Sequence, residues 1–247
     1  MASRKKLQSI AGQFRRFCKA NADEERAQRY ARYFTEGYDA WGIPKEIWEE
    51  KKATLIERYR DDLSLEDVVE LGHILMRSGK YEEASFPIVL AAAYQDDFTP
   101  EAFQGTGSWL DSGVRNWGHT DVLCSLVLAD PIHNKIVRYQ DMAAWRASAS
   151  KWKRRAVPVT LVELVKKARP VRPLLKFVEP MMMDDERFVQ QGIGWFLREA
   201  WKKQPEPVEA LLLKHKDTAP RKIYQYATEK MSKEERVKYR RARKGRA

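Results

Sequence analysis

Two tryptophans, one aspartate and one arginine are spaced along this chain so that they could share a surface. Asp121 follows Trp117 by four positions, Arg155 lies 38 positions after Trp117, and Trp195 lies 40 positions after Arg155. Helical-pair repeats of the HEAT class advance by about 40 residues. Stacked repeats of that length would bring the four side chains to one face. In a chain of net charge +11, this set would suit a polyanion that carries a cationic, stackable group.

The elements that must position these residues are predicted to be helices. Apolar residues recur at three- and four-residue steps, and no sustained two-residue alternation is bounded by hairpin turns. We predict an all-α, curved, HEAT-like helical-repeat solenoid with a concave basic face. The glycine-rich run from Gly105 to Gly113 is predicted to be a loop. Helix ends are predicted at Gly42-Ile43-Pro44, Ser64 with Asp67, Ser78-Gly79, Thr99-Pro100, Asp217 to Pro220, and Ser232 with Glu235.

Two segments are predicted to be helices with a core face and a functional face. In residues 152–168 the apolar residues form a broad stripe, and Arg155 is predicted to point outward, with Lys151 and Arg154 on adjoining sides. In residues 185–201, Trp195 is predicted at the margin of the apolar face. The predicted core residues of the two segments are Trp152, Ala156, Val159, Leu161, Leu164, Val165 and Ala168, and Phe188, Val189, Phe196, Leu197 and Ala200.

Each of the four candidates also has an ordinary structural interpretation. Asp121 taken alone is an exposed helix residue or an N-cap, and the two tryptophans are packing residues. Arg155 taken alone belongs to a solvated basic face. Two observations favour the functional interpretation: the four occur together at repeat spacing, and Trp117 and Asp121 share a face if one helix runs from Trp117 through Val127.

Composition excludes several classes of protein. The longest apolar runs, Ile88 to Ala93 and Val122 to Ala129, are too short for a bilayer span of roughly 20 residues. No apolar segment with a cleavage site follows the basic N-terminus, so we predict a cytoplasmic protein. Cys18 and Cys124 are widely separated, which indicates neither a disulfide framework nor a thiolate metal site.

The basic charge is concentrated at the C-terminus. Residues 229–247 hold nine Lys or Arg side chains against three Glu, a net of +6, which leaves +5 of the total +11 for the rest of the chain. We predict a single helical-repeat domain over residues 1–231 and a basic extension over residues 232–247. Such an extension either binds phosphates without reading sequence or is a solvated, disordered terminus, and the sequence leaves both open.

Other kinds of site have little support. The four histidines are scattered without a His-Glu-x-x-His motif, and there is no Walker loop, dinucleotide fingerprint or Gly-x-Ser-x-Gly elbow. His119 is predicted to be a surface or loop histidine, with phosphate contact as the alternative. Met181 to Met183 are predicted to pack between helices. We predict no metal and no cofactor.

At Trp117, Asp121, Arg155 and Trp195 the chain resembles the HEAT-like bacterial DNA alkylation repair glycosylases typified by AlkD. The resemblance runs from about Tyr33 to about Ala227. It implies that Asp121 is the catalytic carboxylate, that Trp117 and Trp195 are aromatic walls beside the lesion, and that Arg155 holds the DNA. Tyr33 and Arg198 match DNA-facing positions, and Lys151, Arg154 and His119 are further predicted DNA contacts. The Gly118-His119-Thr120 insert and the basic extension depart from the family's pattern.

The resemblance implies a monomeric enzyme that removes cationic N3- or N7-alkylated purines from duplex DNA without flipping the base. Such a purine leaves without protonation, and a carboxylate would stabilise the oxocarbenium ion of the sugar and orient a water molecule. Two alternatives remain open: a catalytically silent module that binds DNA structures, and a protein-binding solenoid. The presence of Asp121 favours the enzyme.

Overall fold

The computed structural model of the protein describes residues 2–241. All regular secondary structure in this range is helical, which confirms the predicted all-α class. No helix of residues 2–241 is long and apolar enough to cross a membrane. The helices are α1 Arg4–Ala20, α2 Glu24–Ala31, α3 Lys45–Arg60, α4 Leu65–Met76, α5 Tyr81–Ala91, α6 Pro100–Ser112, α7 Trp117–Leu123, α8 Ala129–His133, α9 Lys151–Lys166, α10 Val171–Val178, α11 Arg187–Lys203, α12 Pro205–His215, α13 Arg221–Ala227 and α14 Lys233–Val237.

Short segments of other helical types join some of these elements. Three 3₁₀ segments cover Ala92–Asp97, Tyr139–Ala147 and Glu179–Met181. A π-helical segment, Cys124–Leu128, continues directly from α7, so the helix that begins at Trp117 does run through Val127, but with a wider last part.

The chain forms two compact units, Met1–Val137 and Arg138–Ala247, here called the N-terminal and C-terminal units. In the N-terminal unit α4 packs against α1, α5 and α6, while α5 packs against α3 and α7. In the C-terminal unit α11 packs against α9, α12 and α13, and α10 packs against α12. Contacts between helices two apart in the chain, such as α4 with α6 and α9 with α11, are those that stacked helical pairs make. The basic concave face stays a prediction.

Several helices begin where the sequence predicted. Ser64 and Asp67 form a reciprocal capping box on α4, and Ser232 and Glu235 form one on α14. The Thr99 side chain accepts a hydrogen bond from the Ala102 amide at the start of α6. Each cap satisfies amides that the first turn of a helix leaves without partners, and this local rule made these boundaries predictable.

The predicted loop from Gly105 to Gly113 is wrong, because most of that run lies inside α6. The glycines there permit close packing of α6 against α4. A Cβ atom at Gly105 would lie 3.1 Å from Val69 Cγ1, and one at Gly72 would lie 2.5 Å from the indole of Trp109. Trp109 is fully buried and donates its Nε1 hydrogen to the Val69 carbonyl at 3.1 Å. Packing therefore outweighs the cost of about 1 kcal/mol for each glycine in a helix.

The basic extension is not a free tail over residues 232–241. Tyr239 is 1% exposed, and its ring lies 6.3 Å from that of Tyr224 on α13. Lys238 forms an ion pair with Glu209 on α12, and Arg221 donates to the Tyr239 carbonyl at 3.0 Å. The alternative of a disordered terminus is wrong for these residues, because the buried Tyr239 ring fixes the chain. Phosphate binding by the extension stays a prediction. Residues 242–247 lie outside the described residues.

The core faces of α9 and α11 are largely as predicted. The predicted α9 residues from Trp152 to Val165 are buried, as are Val189, Phe196, Leu197 and Ala200 of α11. Phe188 is only half-buried. Ala168 is exposed, contrary to prediction, because α9 ends at Lys166 and Ala168 adopts a φ of 60° beyond it.

Candidate active site

The N-terminus of α7 carries the first two candidate residues on one face. Asn116 is the N-cap, and its side chain accepts a hydrogen bond from the His119 amide at 2.8 Å. Trp117 opens the helix and remains 36% exposed, and Asp121 is half-buried one turn later. Residues four apart on a helix are neighbours, so Trp117 and Asp121 share one face of α7.

His119 lies inside the protein, so the prediction of a surface histidine is wrong. It is 3% exposed, and its ring stacks on that of Tyr81 at 4.1 Å. Its Nδ1 lies 2.9 Å from the Asn116 amide nitrogen, and its Nε2 lies 2.9 Å from the Ser85 hydroxyl. Burial lowers the pKa of His119 to about 4, so the ring is neutral at pH 7. It links α7 to α5 and leaves no ring nitrogen for a phosphate.

The tautomer of His119 follows from its partners. Because the Asn116 amide nitrogen can only donate, Nδ1 accepts and Nε2 carries the hydrogen. Nε2 then donates to Ser85, whose hydroxyl in turn donates to the Tyr81 carbonyl at 2.9 Å. This chain of hydrogen bonds fixes the start of α7, and with it the direction of Trp117 and Asp121.

Trp117 is also held by neighbouring rings. Its indole stacks on Phe34 at 5.5 Å with an interplanar angle of 20°, and Phe34 stacks on Tyr38 at 4.7 Å and 10°. The indole nitrogen donates to the carbonyl of Tyr33 at 3.3 Å. Tyr33, a predicted DNA-contacting residue, is 54% exposed beside it. The ring is therefore fixed by partners in the segment between α2 and α3.

An aromatic cleft opens beside Trp117, and sequence reasoning missed it. Its volume is about 400 Å³. The signal was present in the density of aromatic residues between Tyr30 and Trp48, but nothing in the sequence shows that Trp117 joins them. The cleft is lined by Arg26, Tyr30, Tyr33, Phe34, Tyr38, Gly42, Ile43, Lys45, Trp48, Tyr81, Glu82, Ser85 and Trp117.

Arg155, in the C-terminal unit, does not point outward. Its side chain is 5% exposed, and Nη1 donates to the Phe188 carbonyl at 2.6 Å. Gly192 on α11 allows the close approach, since a Cβ atom there would lie 3.4 Å from Arg155 Cγ. The prediction of an outward arginine is wrong because α9 and α11 pack closely over this position.

The other predicted cations of the C-terminal unit have partners. Arg154 pairs with Asp184 at 2.7 Å and donates to the Ser148 carbonyl at 2.8 Å. Arg198 pairs with Glu199 at 3.1 Å and with Glu229 at 2.5 Å. These contacts hold both guanidinium groups against the protein. DNA binding by Arg154 and Arg198 stays a prediction.

Lys151 and Trp195 are more accessible. Lys151 is half-buried, with its ammonium 5.1 Å from the centre of the Trp152 ring. Trp195 is half-buried, as predicted for a residue at the margin of its helix, and the Lys166 ammonium lies 5.9 Å from its ring centre. Part of the Trp195 side chain is therefore packed against the protein, and part is accessible to solvent.

The candidates therefore fall into two groups. Trp117, Asp121 and Tyr33 belong to the N-terminal unit, and Arg155 and Trp195 belong to the C-terminal unit. The sharing of one surface by all four original candidates stays a prediction. Over residues 2–241, no three His, Cys, Asp or Glu side chains are grouped to hold a metal ion.

Comparison with known proteins places this chain in a family. The model of the DNA alkylation repair enzyme family matches residues 16–231. A predicted DNA alkylation repair enzyme from Enterococcus faecalis shares the fold with a TM-score of 0.74 and 18% identity, over 86% of this chain and 98% of that one. AlkD2 from Streptococcus mutans gives a TM-score of 0.56 at 18% identity, over 83% and 97% of the two chains.

The protein smu.31 of Streptococcus mutans is also similar in fold, with a TM-score of 0.57 and 18% identity, over 76% of this chain and 95% of that one. No curated protein sequence matches the chain. The family match covers most of its length, and its helical architecture agrees with those of the solved structures. The chain therefore belongs to the DNA alkylation repair enzyme family.

Proposed function

We propose that the protein is a DNA glycosylase that hydrolyses the N-glycosidic bond of cationic N3- or N7-alkylated purines in duplex DNA. The observation that carries this proposal is the pairing of Trp117 with Asp121 on one face of α7, held from behind by His119 and Phe34. A carboxylate one helical turn from a fixed indole suits the stabilisation of a developing positive charge.

The chemistry follows from the charge of the substrate. An alkylated purine is already positively charged, so its bond to the sugar breaks without a general acid. Positive charge then develops on the sugar, where Asp121 stabilises it and orients the attacking water molecule toward C1′. The electron-rich faces of Trp117 and Trp195 each favour a cationic group. Neither a metal nor a cofactor has a step in this scheme.

We propose a positioning role for Arg155 in place of the predicted contact with DNA. Because its guanidinium is buried and bonded to the Phe188 carbonyl, we propose that it positions α9 and α11, and with them Trp195. The lesion remains stacked in the duplex in this proposal, and a monomer acts on the deoxyribose from outside in the cytoplasm.

The proposal is tested by Asp121→Asn with duplex DNA that contains 7-methylguanine or 3-methyladenine. Loss of the charge should reduce single-turnover excision by a factor on the order of 10² or more while folding and DNA binding persist. Asp96→Asn removes an exposed carboxylate of the same unit and is the matched control. An unchanged rate in Asp121→Asn would refute the assignment.

A further inference from the structure

The aromatic cleft adjoins a second, cationic hollow. This second hollow has a volume of about 250 Å³ and is lined by Arg26, Arg29, Tyr30, Arg32 and Tyr33. Arg26, Tyr30 and Tyr33 line both spaces. The apolar space lined by rings and the space lined by guanidinium groups therefore adjoin each other at these three shared residues.

The three arginines are available to an anion. Arg26 is half-buried, and Arg29 and Arg32 are exposed. Arg32 lies over the Tyr33 ring at 4.9 Å and donates to its hydroxyl at 2.9 Å. Arg26 lies 5.7 Å from the centre of the Tyr30 ring. Over residues 2–241 none of the three pairs with a carboxylate, although α2 also carries Glu24 and Glu25.

The rings of the cleft are placed for stacking. Trp117, Phe34 and Tyr38 form a nearly parallel column, whereas Tyr30 and Tyr33 stand 45% and 54% exposed at the opening. Exposed aromatic side chains can stack on a base, and such stacking does not depend on which base is bound.

A nucleotide has the same two parts as the combined cavity. Its base is flat and stackable, its phosphate is an anion, and a deoxyribose joins them. Inside a duplex both faces of each base are covered by stacked neighbours, so a base must leave its pair and its stack to enter the cleft. We infer that this cavity binds one unpaired nucleotide of a DNA strand, with the base among the rings and a phosphate at Arg26, Arg29 and Arg32.

This inference goes beyond the proposed function, because hydrolysis in an intact duplex requires no unpaired base. It gives the protein a preference for DNA with a bulged or frayed nucleotide, whether or not that nucleotide is alkylated. Guanidinium groups at the rim supply charge that is independent of sequence, so the preference depends on pairing state alone.

The test compares a duplex that has a single bulged, undamaged thymidine with the fully paired duplex of the same flanking sequence. Fluorescence anisotropy should give roughly tenfold or tighter binding to the bulged duplex, the scale of one base stacked on an aromatic side chain. Tyr30→Ala should remove most of this preference, and Tyr30→Phe, which keeps the ring, should retain it. Arg29→Ala should weaken binding to the bulged duplex.

A second readout locates the base. With 2-aminopurine at the bulge, stacking in the cleft should lower its fluorescence on binding to the wild type and to Tyr30→Phe, but far less in Tyr30→Ala. Equal affinity for bulged and paired duplexes, or a preference that survives Tyr30→Ala with its fluorescence change, would overturn the inference. Asp121→Asn should keep the preference, so failure of the proposed hydrolysis and failure of this inference give different results.

Discussion

The arginines of the two units are in opposite situations. In the N-terminal unit Arg29 and Arg32 are exposed beside tyrosine rings. In the C-terminal unit Arg154 and Arg198 are paired with carboxylates, and Arg155 is buried. The net charge of a segment therefore does not tell which charges a ligand can reach. Asp184, which pairs with Arg154, and Glu229, which pairs with Arg198, are each about thirty residues away in the sequence, so sequence spacing does not predict these ion pairs.

The largest expected effect is a loss of stability, and it differs between buried and exposed tryptophans. Trp109→Ala should cost about 3–5 kcal/mol of stability, since the fully buried ring also loses its bond to the Val69 carbonyl. Trp117→Ala and Trp195→Ala should cost clearly less and should instead slow excision. Denaturant unfolding and single-turnover assays measure the two quantities. A loss in Trp195→Ala as large as that in Trp109→Ala would make Trp195 a packing residue.

The second effect is a pH dependence from His119. Burial places the folded-state pKa of His119 at about 4, below the ordinary value of 6.5. The unfolded chain therefore binds this proton at a higher pH than the folded protein does. The contribution of neutral His119 is fully present above pH 6.5 and is lost as the pH falls from 6.5 toward 4, by roughly 3 kcal/mol in all.

This pH dependence can be measured by urea unfolding at pH 7 and pH 5 in the wild type and in His119→Asn. The wild type should lose more stability between the two values than the variant does, whatever the variant's overall stability. Identical losses in the two proteins would show that His119 does not titrate as its buried position requires.

The third effect compares arginines from the two units directly. Arg155→Ala removes a buried side chain and leaves the half-buried Phe188 carbonyl without this donor, so it should cost about 1–3 kcal/mol. Arg29→Ala removes an exposed side chain and should change stability by less than about 0.5 kcal/mol. Both are measured by thermal or denaturant unfolding. If the two variants melt alike, the contrast between buried and available arginines fails.

The smallest effect on stability is expected from deletion of residues 242–247, which removes Arg243, Lys244 and Arg246. Melting should be unchanged, while the salt dependence of DNA binding becomes shallower by up to about 0.9 in log-log slope for each lost phosphate contact. Deletion from residue 232 should instead destabilise the protein, because Tyr239 leaves with it. Equal melting of both truncations would contradict the packed position of residues 232–241.

Local rules account for what the sequence predicted well. The capping boxes at Ser64 and Ser232 depend on residues three positions apart, and the neighbouring positions of Trp117 and Asp121 depend on one helical turn. The helix class and most core residues of α9 and α11 follow from periodicity in the same way. These features involve only short stretches of chain.

What the sequence did not predict depends on contacts between distant segments. Phe34 meets Trp117, Arg155 meets the Phe188 carbonyl, and Tyr239 meets Tyr224. The loop predicted at the glycines of α6 was wrong for the same reason, because their packing against α4 outweighs their poor helix propensity. The aromatic cleft depends on two contacts between distant segments, that of Phe34 with Trp117 and that of Phe34 with Tyr81. The density of aromatic residues in the sequence does not predict either contact.

The π-helical segment Cys124–Leu128 could tolerate the deletion of one residue. A π turn contains about one residue more than an α turn, and this one begins three residues after Asp121, where α7 ends. Loss of one residue there would close the turn into an ordinary α-helix and would not disturb Asn116, Trp117 or Asp121 upstream. We expect relatives with a one-residue deletion in this segment to keep the indole and the carboxylate on one helix face. The helix therefore tolerates a deletion near its candidate catalytic residue.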